Sequence, residues 1–396
     1  MTTRRQLLGA GVAAALAAGL PRVSFAAGAD DRRLVVIILR GALDGLSAVP
    51  PYGDPGYAGA RGAIAIAAPG QTPGALALDG FFGLHPALPL LAERYRAGEL
   101  IVAHAVASPY RERSHFDGQN VLENGGDRPS GAASGWLNRA LAALPVTQAQ
   151  GLAFGQNVPL LLRGSVPVGS WAPSALPEVE PDLIERLRDL YAGDPGLAMR
   201  LEEAVHVGAL AAEEGMPSAP AGQGGGGRLQ LLATTAGRML AAEDGPRVAV
   251  IDAGGWDTHA FEGGAEGQLA TRLKGLDGVL EALRLGIGAP WRTTAVLVCT
   301  EFGRTVEVNG TRGTDHGTGT VALLVGGAVR GGRVHADWPG LAPAARYQGR
   351  DLRPTLDLRA LAKGVLRDHL NVAERALADV FPGSERVAPL KDLIRA

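Results

Sequence analysis

The chain has 396 residues, a formal net charge of −2 and one cysteine, Cys299. That charge leaves no basic surface for nucleic acid, and a lone cysteine excludes an internal disulfide. With 46% hydrophobic residues the apolar content is that of a folded protein, and 57 glycines and 26 prolines point to many loops on that scaffold.

Residues 1–27 read as an export signal. Arg4-Arg5 precede Leu7-Leu8 and an Ala/Gly-rich stretch, and Ser24-Phe25-Ala26 fits a small-x-small cleavage site. The competing reading is a short membrane anchor or a buried helix, but the stretch is too short and too Gly-rich to span a bilayer well. No later run of about 20 apolar residues occurs, so the mature protein is expected to have no stable membrane span. The expectation is export by the twin-arginine machinery, which carries folded proteins, to the periplasm or beyond.

The run LVVIIL (34–39) is continuously apolar, as in a strand buried on both faces of a parallel sheet. It ends in RGALDGLS, a loop holding Arg40 and Asp44. Residues 52–80 form an excursion, 85–96 have helical spacing, and 100–106 read as the next strand. The segment SPYRERSHFDGQNVLENGG follows, with a helix predicted to open at Ser114 as N-cap. Residues 131–213 suggest a helix near 135–143, short strands and a charged helix over 181–191. The run 215–228 reads as a flexible Gly-rich surface loop. Similar chemistry lies on both sides of it, so 28–396 is expected to be a single domain.

Beyond it come a helix over 229–242, a buried strand over 247–251 ending in DAGGWDTH, a helix over 269–285 and a strand over 293–299. That strand stops at Glu301. A polar loop carrying Arg304, Asp315 and His316 leads into another apolar run, 321–325, and 355–380 reads as one or two helices. Strands alternating with helices predict an α/β fold with a mostly parallel central sheet flanked by helices.

Three buried strands thus end in acidic or histidine-bearing loops: the first gives Asp44, the second Asp252, Asp257 and His259, the third Glu301, Asp315 and His316. Ligands of open α/β sheets bind outside the carboxyl ends of the strands. Carboxylates and imidazoles suit zinc, manganese or iron. Each group also has a plainer reading. Asp44 could form a turn, Asp252 a cap, and His259 and His316 could lie at the surface or behind a ligand. Arg304 could pair with Glu301 or Glu307. Trp256 and Trp338 suit packing, and His85, His104, His206, His335 and His369 suit structural roles.

The segments RGALDGLS, SPYRERSHFDGQNVLENG, IDAGGWDTHA, TEFGRTVEVNGTRGTDHGTGTVALLVGGAVRGG and PTLDLRALAKGVL resemble the bacterial "domain of unknown function 1501" family over nearly the whole chain after the signal. That family resembles a branch of the alkaline phosphatase superfamily, which also holds sulfatases and cofactor-independent phosphoglycerate mutases. The resemblance implies an alkaline-phosphatase-like three-layer fold. It implies metal ligands at Asp44, Asp257, His259, Glu301 and His316, and a serine nucleophile at Ser114 on a helix start. Phe302 departs from the pattern, because a histidine is usual there; one metal would lose a ligand unless Asp315 replaces it. The nearest stretch to a sulfatase signature, Ala107-Ser108-Pro109-Tyr110-Arg111, carries an alanine that cannot become formylglycine.

The leading expectation is an exported hydrolase of phosphate or sulfate esters using divalent metal ions, zinc or manganese. Its nucleophile would be Ser114 or a metal-activated water, and Arg304 or Arg113 would stabilise the small anionic ester. The alternative is a non-catalytic exported protein with a degenerate metal site, in ligand binding or envelope assembly.

Overall fold

The computed structural model describes residues 31–145, 150–173, 181–213 and 225–395. The export signal and most of the Gly-rich run therefore lie outside the described residues. The strands in chain order are β1 (Arg33–Arg40), β2 (Leu76–Ala77), β3 (Gly83–Leu84), β4 (Leu100–Ala107), β5 (Gly151–Phe154), β6 (Gly169–Trp171), β7 (Val248–Gly254), β8 (Thr294–Cys299), β9 (Thr320–Val325), β10 (Arg333–His335) and β11 (Leu356–Asp357). β2 and β3 form a separate hairpin. The other nine make one sheet in the order β10-β4-β9-β8-β1-β7-β5-β6, with β11 also paired to β4.

β1 is central because its sequence suits burial on both sides. Val35, Ile37 and Leu39 enter one core, and Leu34, Val36 and Ile38 enter the other. The first core is closed by the helices Pro89–Arg96, Gly225–Ala241 and Gln268–Ile287, the second by Trp136–Ala142 and Leu358–His369. The fold is thus mixed α/β, helices on both faces of a mostly parallel sheet, as the strand–helix alternation implied. Cys299 is buried, with its thiol pushed up to about 12 by burial.

One expectation changes in detail. The helix expected from residue 229 begins at Gly225, so residues 225–228 extend an amphipathic helix and do not belong to a loop. Residues 355–380, read as one or two helices, hold two, Leu358–His369 and the short Leu377–Val380. No described helix is long and apolar enough to cross a membrane.

One departure from parallel pairing positions the site. β9 runs antiparallel to both β8 and β4. The loop between β8 and β9 therefore leaves and re-enters the sheet at the same edge. His316, just ahead of β9, consequently meets the residues that follow the carboxyl ends of β1, β4, β7 and β8.

A candidate metal centre at the carboxyl edge of the sheet

Four side chains converge at this edge. His115 opens the helix His115–Asn124 after β4, Asp257 and His259 follow β7, and His316 precedes β9. The Nε2 atom of His316 lies 2.9 Å from Nε2 of His115 and 3.0 Å from Nε2 of His259. Asp257 closes the group: its Oδ1 is 3.0 Å from His259 Nε2 and 3.2 Å from His316 Nε2, and its Oδ2 is 3.4 Å from His115 Nε2.

The outer ring nitrogens fix what these atoms are. His316 Nδ1 is 2.9 Å from the carbonyl oxygen of Arg113, which only accepts. His115 Nδ1 is 2.8 Å from Glu301 Oε1, and His259 Nδ1 is 3.2 Å from Asp315 Oδ1. The carbonyl fixes the His316 tautomer, with Nδ1 protonated and Nε2 bare; an Nδ1–H on His115 and His259 toward Glu301 and Asp315 leaves their Nε2 lone pairs turned toward His316 and Asp257. Lone pairs and a carboxylate facing inward are relieved by a divalent cation between them or by a second proton on His115, which Glu301 favours. Donors bonded to a tetrahedral zinc at ~2.0–2.1 Å stand roughly 3.3 Å apart, close to the separations within His115, Asp257 and His316, the three whose donor atoms all lie within 4.8 Å of one another. The residues present thus fit a divalent metal. An oxygen acceptor behind each ligating imidazole is the usual support for such a site.

Each ligand is held from behind. Buried Glu301 also accepts from the Gly41 amide at 2.8 Å and from Gln119 Nε2 at 3.1 Å. Although burial opposes it, the His115 contact keeps Glu301 below its ordinary value, and Glu301 in turn raises His115. Burial, then the His115 charge, lowers His316. Asp257 is gripped by the buried Arg304, which overcomes the burial penalty and keeps the carboxylate charged. Phe302 packs on the His115 ring with centroids 5.0 Å apart, backing the ligand where the resemblance led one to expect another. Gly41 has φ +119, and a Cβ there would meet the Asp257 amide at 2.7 Å; only glycine lets the loops after β1 and β7 come this close.

Several sequence assignments are corrected. Asp44 is not in the cluster. Fully buried, it caps the helix Gly45–Ala48 by accepting from Leu46 N and Ser47 N, and it pairs with buried Arg61. Glu301 and Asp315 stand behind His115 and His259, not among the inward-facing donors. Arg304 spends its guanidinium on Asp257 and on the Thr314 hydroxyl and carbonyl, not on Glu301, Glu307 or an anion. Arg113 is turned to Asp351 and Gln348, and only its carbonyl serves the site. Asp252 caps nothing and pairs with Arg40. Ser114 sits at the N-cap position beside His115, but its side chain makes no capping bond. His115 is the member of the candidate site that sequence reasoning missed; its one signal was its place next to Ser114 at a helix start.

Asp44 still serves the centre at a distance. Glu262, also fully buried, lies beside Asp44 with Oε1 3.8 Å from Arg61, and accepts from Thr314 Oγ1 at 2.7 Å. Thr314 contacts Arg304, which grips Asp257. Two carboxylates share one cation here. Arg61 keeps Asp44 ionised against its burial, while burial and the Asp44 charge raise Glu262 well above its ordinary value.

The chain belongs to the family described as "Protein of unknown function (DUF1501)", whose match covers residues 31–363. No curated protein matches the sequence. Among solved structures, similarity extends to a protein in the alkaline phosphatase superfamily from Vibrio parahaemolyticus, with 12% identity and TM-score 0.31 over 76% of this chain and 62% of that one. It extends also to the phosphonate monoester hydrolase of Agrobacterium radiobacter, with 12% identity and TM-score 0.31 over 76% of this chain and 70% of that one. The functional reading rests on the side chains instead.

Two outcomes follow from these supports. Glu301→Gln removes the charged acceptor behind His115 while leaving every inward-facing donor; metal affinity, measured by competition titration, should fall about 10–100-fold. Unchanged affinity would show that Glu301 does not orient the ligand. Glu262 holds in the folded state a proton that the unfolded chain releases. Wild-type stability should therefore fall as pH rises from the ordinary carboxylate range toward the raised value, by up to about 1.4 kcal/mol per pH unit. Glu262→Gln should flatten that slope in denaturant melts; parallel slopes would contradict a protonated Glu262.

Proposed function

We propose that the protein is an exported, metal-dependent hydrolase of phosphate or sulfate esters, with its metal held by His115, Asp257, His259 and His316. The observation that carries this reading is the convergence of three imidazoles, each with an oxygen behind its Nδ1, and one carboxylate at the carboxyl edge of the sheet. A bound divalent cation would supply Lewis-acid stabilisation to the anionic oxygens of the ester. The half-exposed rings of His259 and the carboxylates of Asp257 and Asp315 leave the centre open to solvent on one side. Ser114 is the candidate nucleophile. It precedes His115 directly, and the first-turn amides of its helix favour an anion. A water is the alternative attacking group. With Arg304 and Arg113 occupied, charge neutralisation falls to the metal and to that helix start.

A second reading is favoured by one observation: with His259 beside the His115, Asp257 and His316 triad, four protein donors stand at the site, the number that a closed structural site uses. It describes a non-catalytic exported metal protein. The assay that separates the two uses metal-loaded, folded protein with p-nitrophenyl phosphate, bis-p-nitrophenyl phosphate and p-nitrophenyl sulfate. The hydrolase reading expects turnover that Ser114→Ala lowers by several orders of magnitude while metal stays bound, and that His316→Ala lowers together with metal occupancy. Equal turnover in wild type and Ser114→Ala would assign attack to water. No turnover of any ester would favour the second reading.

Export is part of the proposal and rests on Arg4-Arg5 and the stretch behind them. Changing both arginines to lysine should leave the precursor in the cytoplasm in a cell-fractionation experiment. Normal accumulation outside it would remove the twin-arginine route from the account.

A further inference from the structure

A cavity of about 690 Å³ lies along the same carboxyl edge, where β5 and β7 end. Its volume falls within the range of small-molecule pockets. It is separate from the metal centre but close to it in the chain: Trp256 lines the cavity, and the next residue is the ligand Asp257. Phe154, Leu232, Trp256 and Leu276 give it an apolar wall. Its polar lining is unbalanced. Asp252, the one carboxylate on the wall, is already matched by Arg40 at 3.0 Å. Arg228 and Arg272 line the cavity too, and neither forms an ion pair or hydrogen bond among the described residues.

Arg272 runs along the loop after β7. Its guanidinium lies across Gly255, where a Cβ would stand 2.5 Å from Nη1 and 2.9 Å from Cζ. Gly255 has φ +92, so glycine is favoured there both by the backbone and by the close approach of the cation. A guanidinium has a fixed fork of donors that matches carboxylate, sulfate and phosphate oxygens. Two such groups with no protein partner, lining a cavity that also has an apolar wall, ask for a ligand that brings a negative charge and an apolar body together.

We infer that this cavity binds an organic anion: a carboxylate, sulfate or phosphate group paired by Arg228 and Arg272, carried on an apolar body that lies against Phe154, Leu232, Trp256 and Leu276. The inference goes beyond the hydrolase reading and does not require the metal.

The test uses full-length protein stripped of metal and the inert probe 2-naphthalenesulfonate, followed by calorimetry and by tryptophan fluorescence. One probe should bind per chain. Sodium sulfate, which lacks the body, and 2-naphthol, which lacks the charge, should each bind at least about tenfold more weakly, as should the probe to Arg228→Gln/Arg272→Gln. These arginines are exposed, so the double variant should keep the wild-type fold and melting temperature. His316→Ala should bind the probe as wild type does. Comparing 2-naphthoate with the sulfonate then ranks the anionic groups. Absence of probe binding, or equal binding by the double variant, would overturn the inference. Intact probe binding in a protein that hydrolyses no ester would sink the hydrolase reading alone.

Discussion

Everything at the carboxyl edge depends on one constraint: three imidazoles turned inward by the protons on their outer nitrogens. A histidine whose Nδ1–H is committed to an oxygen has one lone pair left, and its direction is fixed. Here three such lone pairs meet a carboxylate within ordinary contact distances. A cation, or a second proton on His115, relieves the arrangement, and the supports behind it are rigid. Glu301 is buried at the end of β8, the Arg113 carbonyl is fixed by the start of a helix, and Arg304 has no exposure with which to relax.

The fold delivers these groups from separate stretches of chain. Parallel strands β1, β4, β7 and β8 bring their carboxyl ends to one edge, and the reversal into β9 adds His316 to it. Behind the ligands a second tier of buried charge, Asp44, Arg61 and Glu262, reaches Asp257 through Thr314 and Arg304. A buried ion pair contributes little net stability once desolvation is counted. Its value here is positional: it fixes the element whose side chain grips a ligand.

The sheet was legible because burial on both faces leaves continuous apolar runs, and β1, β4, β8 and β9 all carry them. Asp257, His259 and His316 were legible because strand ends are where such folds expose chemistry. Asp44 was misassigned for a physical reason. An aspartate after a strand serves equally as a ligand or as a helix cap, and its partner Arg61, 17 residues on, leaves no trace in local pattern. Glu301 and Asp315 were recognised as belonging to the site but not as standing behind it, since sequence carries no depth. His115 was missed because nothing around it has metal-ligand spacing; only the tertiary meeting of β4, β7 and β9 gives it company. Phe302, which suggested a lost ligand, fills the space behind His115.

The central claim is that His115, Asp257, His259 and His316 surround a metal ion. Anomalous diffraction from crystals of protein isolated with its native metal, recorded on both sides of the metal's absorption edge, tests it most directly. The account predicts a single strong anomalous peak about 2 Å from the three Nε2 atoms and an Asp257 oxygen. A peak centred instead among Asp44, Glu262 and Arg61, or no peak with the three imidazoles in the same facing arrangement, would contradict it.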